Sequence, residues 1–250
     1  MRVSRVVACA PCKIFVQILT QSRIERIHSP QRVTPRSGDL RPLENVPSQD
    51  SKTMLNRLEN LGRKLPTEPN SNHPSIQGVP AAVIAPLVLP SWESDIDEAQ
   101  LLFIKRSQDL RKHAGQMAFP GGVKEKSDRD LLAAGFREGK EEVGLRKEEV
   151  KMLATLPSAS TPSGFNLQPY FVATTQQDYI AEPGEVDSIH IIPVKELLSC
   201  PVRLEEKIWQ EQSYRVVYFD TESVCIWGVT GRILEVVLSH FFDWRAPNFE

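Results

Sequence analysis

Apolar runs, helically spaced stretches and polar gaps alternate along this chain, and together they predict its elements. Val79–Leu89 is rich in Val, Ile and Leu; it is short, broken by Pro80 and Pro86, and reads as a buried strand. Leu101–Arg106 is a second strand, and the polar segment Ser91–Glu98 between them suggests a hairpin. Lys151–Leu156, Gln168–Ala173, Ser188–Ile192 and Ser213–Tyr218 are also strand-like. Helices are expected at Val194–Leu198 and Gly231–Phe242, the latter with Ile233, Val236, Val237 and Phe241 at helical spacing. Another is expected from Asp128 to Val143. Ser127 would be its N-cap, Asp130 would complete a capping box, and Gly144 would stop it. Strands and helices mix without regular βαβ alternation, which argues for α+β or a sandwiched α/β/α architecture.

Polar and charged composition then sets the boundaries. Up to Gly38 there are seven basic residues and one acid, Glu25, as in a transit peptide. The alternatives for residues 1–53 are a disordered extension or untranslated sequence, since Met54 opens an amphipathic helix and is a plausible start. Residues 54–76 are read as that helix and a Pro, Asn and Ser-rich linker, 77–243 as the folded domain and 244–250 as a tail. The expected location is the cytoplasm, or the mitochondrial matrix if the extension is a transit segment.

Nothing about the net charge of −2 suggests a polyanion binder, so no nucleic-acid partner is expected. Residues 1–53 carry +5 and the remainder −7. No apolar run approaches the roughly 18–20 residues of a membrane span. Cys9 and Cys12 have the spacing of half a zinc site or of a redox motif, but no second pair and no strand-helix context accompany them, so the four cysteines are read as free thiols.

Chemistry concentrates in Arg137-Glu138-Gly139-Lys140-Glu141-Glu142-Val143-Gly144-Leu145. Glu138, Glu141 and Glu142 stand at i, i+3 and i+4 and project from one helical face. Three carboxylates there repel one another unless a hard divalent cation, Mg2+ or Mn2+, sits among them. Such an ion can bridge substrate phosphates and activate water. Arg137 can orient a carboxylate. Gly121 and Gly122 have no side chain to keep the preceding loop from the ion, which a carbonyl of Gly122 could approach. The bland alternative is a solvated face of Glu/Lys pairs.

Gly121-Gly122 followed by Arg137-Glu-x-x-Glu-Glu-x-Gly-Leu145 resembles the Nudix box, Gly-x5-Glu-x7-Arg-Glu-aliphatic-x-Glu-Glu-x-Gly-aliphatic. The resemblance implies an α/β fold, a Nudix-type α/β/α sandwich with a mixed sheet behind a poorly ordered N-terminal extension. It also implies hydrolysis of a diphosphate linkage with Mg2+ or Mn2+. Two departures stand out. The loop is one residue longer than usual, leaving Arg129 where the first box glutamate belongs, between Asp128 and Asp130. Gly139 replaces an aliphatic residue, which weakens the helix by about 0.5–1 kcal/mol.

Leu101-Leu-Phe-Ile-Lys-Arg-Ser107, Arg111, Gly115 and Phe119-Pro-Gly-Gly122 further resemble the added signature of coenzyme A pyrophosphatases. That subfamily tends to have the longer loop, and the likeness covers roughly residues 79–243. It implies cleavage of coenzyme A or acyl-CoA to 3′,5′-ADP and the 4′-phosphopantetheine half. Glu138, Glu141 and Glu142, with Gly122, would hold metal, and Arg137 would fix the geometry. The base would be a box glutamate or Glu185, in the Glu182-Pro-Gly-Glu185 loop. Arg106, Arg111, Phe119 and Gly121 are the substrate-side candidates, Phe119 either stacking on adenine or packing beneath the loop. Gly115 is expected to serve a turn, Trp227 to anchor the core, and Arg232 to be a helix charge. His113 is the one histidine near the loop. A different nucleoside diphosphate derivative (ADP-ribose, NADH, a capped nucleotide) or a silent nucleotide-binding module are the rival readings. A homodimer is left open.

Overall fold

The computed structural model describes residues 51–65, 78–110, 112–209 and 212–246. Its helices are α1 (Ser51–Gly62), α2 (Leu131–Val143), α3 (Val194–Ser199) and α4 (Gly228–Phe241). The strands are β1 (Val79–Val88), β2 (Gln100–Arg106), β3 (Met117–Ala118), β4 (Gly121–Val123), β5 (Val150–Thr155), β6 (Ala159–Ser160), β7 (Phe165–Thr174), β8 (Val186–Pro193), β9 (Val202–Trp209), β10 (Gln212–Asp220) and β11 (Cys225–Ile226).

The apolar run at Val79 forms the central strand. β1 pairs in parallel with β7 along its whole length, Val79 opposite Phe165 through Val88 opposite Thr174. On its other edge the pairing is antiparallel and shared: β4 takes Ala81–Val83 and β2 takes Leu87–Val88. The sheet is therefore mixed. A proline is unwelcome inside a central strand because it cannot donate to the ladder, and Pro86 sits in the gap between those two partners. The Phe119-Pro-Gly-Gly loop enters the same gap, its Pro120 carbonyl accepting from the Ile84 N–H at 2.8 Å.

Period-two alternation then assigns two faces. Ile84, Val88, Leu102, Ile104 and Val172 pack with Phe136, Val143 and Leu145 of the α2 layer. Ala85, Leu87, Leu101, Phe103, Phe171 and Ala173 face the opposite layer, built from α1, α4 and the β9–β11 sheet. Both faces are covered, which is why β1 reads as a continuous apolar run rather than an alternating one.

Three differences from the sequence reading bear on the layers and the site. Helix α1 starts at Ser51, inside the expected extension, and belongs to the core rather than preceding it. Leu55 and Leu58 are buried, worth about 1.5–3 kcal/mol each. His240 Nε2 lies 2.7 Å from the Leu61 carbonyl. Helix α2 starts at Leu131, not Asp128, because Asp128 is bound to the Glu125 N–H and to Arg137 and the preceding turn never becomes helical. Strand β9 was not expected; its alternation of Val202 and Leu204 inward with Arg203 and Glu205 on the other face was legible. Residues 1–50, with Cys9 and Cys12, and the expected linker at 66–76 lie outside the described residues. Among the described residues, no helix is long and apolar enough to cross a membrane.

Candidate active site

Helix α2 is fixed at both ends, which sets the phase of its acidic face. Asp130, not Ser127, is the N-cap: its carboxylate accepts from the Ala133 N–H at 2.7 Å. Gly144 turns left-handed at φ 69°, and the N–H groups of Gly144 and Leu145 return to the carbonyls of Lys140 and Gly139. A Cβ at Gly139 would lie 3.3 Å from Leu145 Cδ2, so the unusual glycine seats Leu145 close against the helix.

The three box acids do not share one environment. Glu142 is 1% exposed; one of its oxygens accepts from the Gly121 N–H at 2.8 Å and the other lies 3.7 Å from Arg106 Nη1. Burial pushes its pKa up to about 8, with Glu138 and Glu185 adding repulsion against the pull of Gly121 and Arg106. Glu138 is half-buried and also shifted upward, first by desolvation and opposed by Arg137. Its carboxyl rests on Gly122, where a Cβ would come within 2.4 Å of the carboxyl carbon. Glu141 points away to the rim, 3.0 Å from Arg137 Nη1. The expected three-acid cluster is thus two acids over the glycine loop and one beside Arg137.

Arg137 is the hub. It grips Asp128 through Nε at 3.1 Å and Nη2 at 3.2 Å, and donates to the Val123 carbonyl at 3.0 Å. It also pairs with Glu138 at 3.1 Å. The bidentate contact to Arg137 holds the Asp128 carboxyl below the usual range. Arg137 thereby ties the loop, the turn before α2 and the acid face together; it is a positioning group.

The donor set fits a divalent ion. Two partly desolvated carboxylates repel each other, and even with Arg137 3.1 Å from Glu138 and Arg106 3.7 Å from Glu142 both carboxyls stay shifted upward, so the site can take further positive charge. Among the described residues no three acid, His or Cys side chains close into a metal-binding group. Mg2+ keeps several waters and substrate oxygens and needs only one or two carboxylates, so Glu138 and Glu142 beside an open glycine loop suffice.

Residues 94–217 match the family model described as the NUDIX domain. The Nudix hydrolase NudL of Pectobacterium atrosepticum is 33% identical over 180 residues, covering 70% of this chain and 89% of that protein. NudL of Citrobacter koseri is 34% identical over 168 residues, 66% of this chain and 84% of that protein. The chain belongs to the Nudix hydrolase family. It is a hydrolase acting on pyrophosphate bonds, and Nudix hydrolases generally need a divalent metal, typically Mg2+ or Mn2+. Both relatives are named without a substrate.

Of the two acids that flank Arg129 in the sequence, Asp128 is the one turned to Arg137 in this Nudix site. Five residues separate it from Gly122 and eight from Arg137, so the extra loop residue lies after the acid. Two acids flanking Arg129 were the available signal; Arg129 itself turns outward to Asp130. Glu185 is brought to the site, near enough to push up both Glu138 and Glu142. Gly121 spends its N–H on Glu142, so that group faces the acid rather than a ligand. Phe119 is 2% exposed and stacked on Phe103, with centroids 4.7 Å apart; it packs beneath the loop and offers no face to adenine. Arg106 turns toward Glu142, while Arg111 lies outside the described residues. Gly115, at φ 67°, makes the expected turn. His113 bonds Gln116 and Ser163 on the surface. Trp227 is half-buried against Tyr218 at the start of α4, not inside the core.

Proposed function

We propose that this Nudix hydrolase cleaves the diphosphate of coenzyme A or an acyl-CoA, releasing 3′,5′-ADP and the 4′-phosphopantetheine half. One observation carries the reading. The segment that resembles coenzyme A pyrophosphatases, Leu101 to Gly122, closes on Glu142 from both ends, with Arg106 at 3.7 Å and the Gly121 N–H at 2.8 Å. The signature therefore borders the proposed reaction centre. Arg106, its side chain a quarter exposed beside Glu142, is the cation best placed to meet a substrate phosphate.

Glu138 and Glu142 are the residues that would hold the metal, with the Gly122 carbonyl at hand. When bound, the ion would neutralise charge on the diphosphate and lower the pKa of a water. Arg137 keeps Glu138 and Glu141 in place, anchored by Asp128. Glu185 is the acid best suited as base. Among the described residues its carboxylate has no hydrogen-bond or ion-pair partner, while Glu142 is held by Gly121 and Glu141 by Arg137. The water oxygen would form a bond to one phosphorus as its proton passes to the Glu185 carboxylate. The bridging P–O bond would break, its electron pair leaving on the other phosphate. Glu141 serves on the rim, tuning Arg137.

Purified protein incubated with coenzyme A and Mn2+ or Mg2+, with products separated by chromatography, tests this. The expected products are 3′,5′-ADP and 4′-phosphopantetheine, with kcat/KM well above that for ADP-ribose or NADH. Preference for either of those overturns the substrate assignment and leaves the family chemistry standing.

A further inference from the structure

Three consecutive carbonyls at the end of α2, those of Glu142, Val143 and Gly144, are free to accept from outside the helix. One loop takes all of them. The Glu182 N–H donates to the Glu142 carbonyl at 3.0 Å and the Ile180 N–H to Val143 at 3.1 Å. The third acceptor is met by a side chain: Gln176 Nε2 donates to the Gly144 carbonyl at 2.9 Å. Gln176 Oε1 in turn accepts from the Arg146 N–H at 2.9 Å. The backbone N–H of Gln176 donates to Thr174 Oγ1 at 3.1 Å. The residue is 1% exposed, and an apolar replacement would leave a carbonyl and an N–H unpaired.

A second fastening lies outside it. Arg146 donates to both Asp178 oxygens, at 2.9 and 2.7 Å. At the far end of the loop the Glu185 carbonyl accepts from the Ser107 N–H at 2.8 Å, one residue beyond Arg106. Glu185 is thus suspended between the end of the acid helix and the strand that carries Arg106. The loop touches the helix at Glu142 itself, through that residue's carbonyl.

We infer that Gln176 is a positioning residue for catalysis, locking the 175–185 loop to the end of α2 so that Glu185 stands over Glu138 and Glu142. The inference rests on Glu185 being the base. A displacement of about 1 Å at a reacting group can cost on the order of a hundredfold in rate, so the fastening governs turnover without touching substrate.

The test is a double-mutant cycle on the full chain with saturating metal, reading kcat and KM separately. Gln176→Ala is expected to lower kcat by about tenfold to a hundredfold while KM changes much less. Glu185→Gln should cost far less in the Gln176→Ala background than in the native protein, because the base is already misplaced. Asp178→Asn, at an exposed pair with little effect on folding, should show the same pattern more weakly, which keeps the test available if Gln176→Ala folds poorly. Full kcat in Gln176→Ala, or losses that multiply independently with Glu185→Gln, overturn the inference. Full activity in Glu185→Gln overturns the base assignment and the inference with it, a result distinguishable from the first.

Discussion

Glu142→Gln should lower kcat by at least about three orders of magnitude, the loss of roughly 4 kcal/mol of transition-state stabilisation, while the protein stays folded. The two halves of that expectation have one cause. Glu142 is 1% exposed and its desolvated carboxyl is pushed up to about 8, so the folded chain would rather hold it neutral. Glutamine is its neutral isostere, and its amide oxygen can still accept from the Gly121 N–H. Nothing in the packing is lost. Without metal the variant should melt at or above the native protein, and above it most clearly at alkaline pH. With metal the order should reverse, since only the native protein gains RT ln(1 + [metal]/Kd) from binding. Steady-state kinetics and melting curves with and without Mn2+ check both halves. A variant that kept near-native turnover would remove Glu142 from the mechanism.

The same burial predicts how pH acts on the metal-free protein. Glu142 has a folded value of about 8 against an ordinary 4.5. Between those values the folded state holds a proton that the unfolded chain has released. Its contribution to stability is therefore fully present below about 4.5 and lost as pH rises through about 8. Metal replaces that proton, so binding at pH 7 should release close to one, and affinity should climb by up to about tenfold per pH unit until about 8, then level. Chelation should abolish turnover, and Mg2+ or Mn2+ should restore it. Calorimetry in buffers of different ionisation enthalpy counts the proton. In Glu142→Gln both the release and the pH slope of stability should shrink toward zero. A native protein whose metal affinity is flat from pH 6 to 8 would place the ion elsewhere.

How much of this was legible beforehand follows from which forces are local. Helix α2 and its glycine stop were readable because capping and helical spacing are short-range, and the acid trio stood out as repulsion needing a cation. Its N-terminus was misjudged: Ser127 is as good a cap as Asp130 until Asp128 is claimed by Arg137, nine residues away. The sheet order was not readable. Val79–Val88 announces a buried strand, but nothing local says that its partner is β7, nor that β2 and β4 divide its other edge around Pro86. The split among the acids was hidden for a similar reason. Spacing puts Glu138, Glu141 and Glu142 on one face, whereas the glycine loop and Arg137 decide which are drawn inward. Gln176 carried no signal at all, since Thr-Thr-Gln-Gln-Asp reads as an ordinary polar loop until the end of α2 is placed beside it.

Everything turns on where the divalent ion binds. Crystals grown with Mn2+ and measured near the manganese absorption edge locate it directly by anomalous scattering. The expected result is a peak within coordination distance of carboxylate oxygens of both Glu138 and Glu142, on the glycine-loop side of α2. Manganese bound only elsewhere, with Glu142 still buried against Gly121 and carrying its proton, would contradict it.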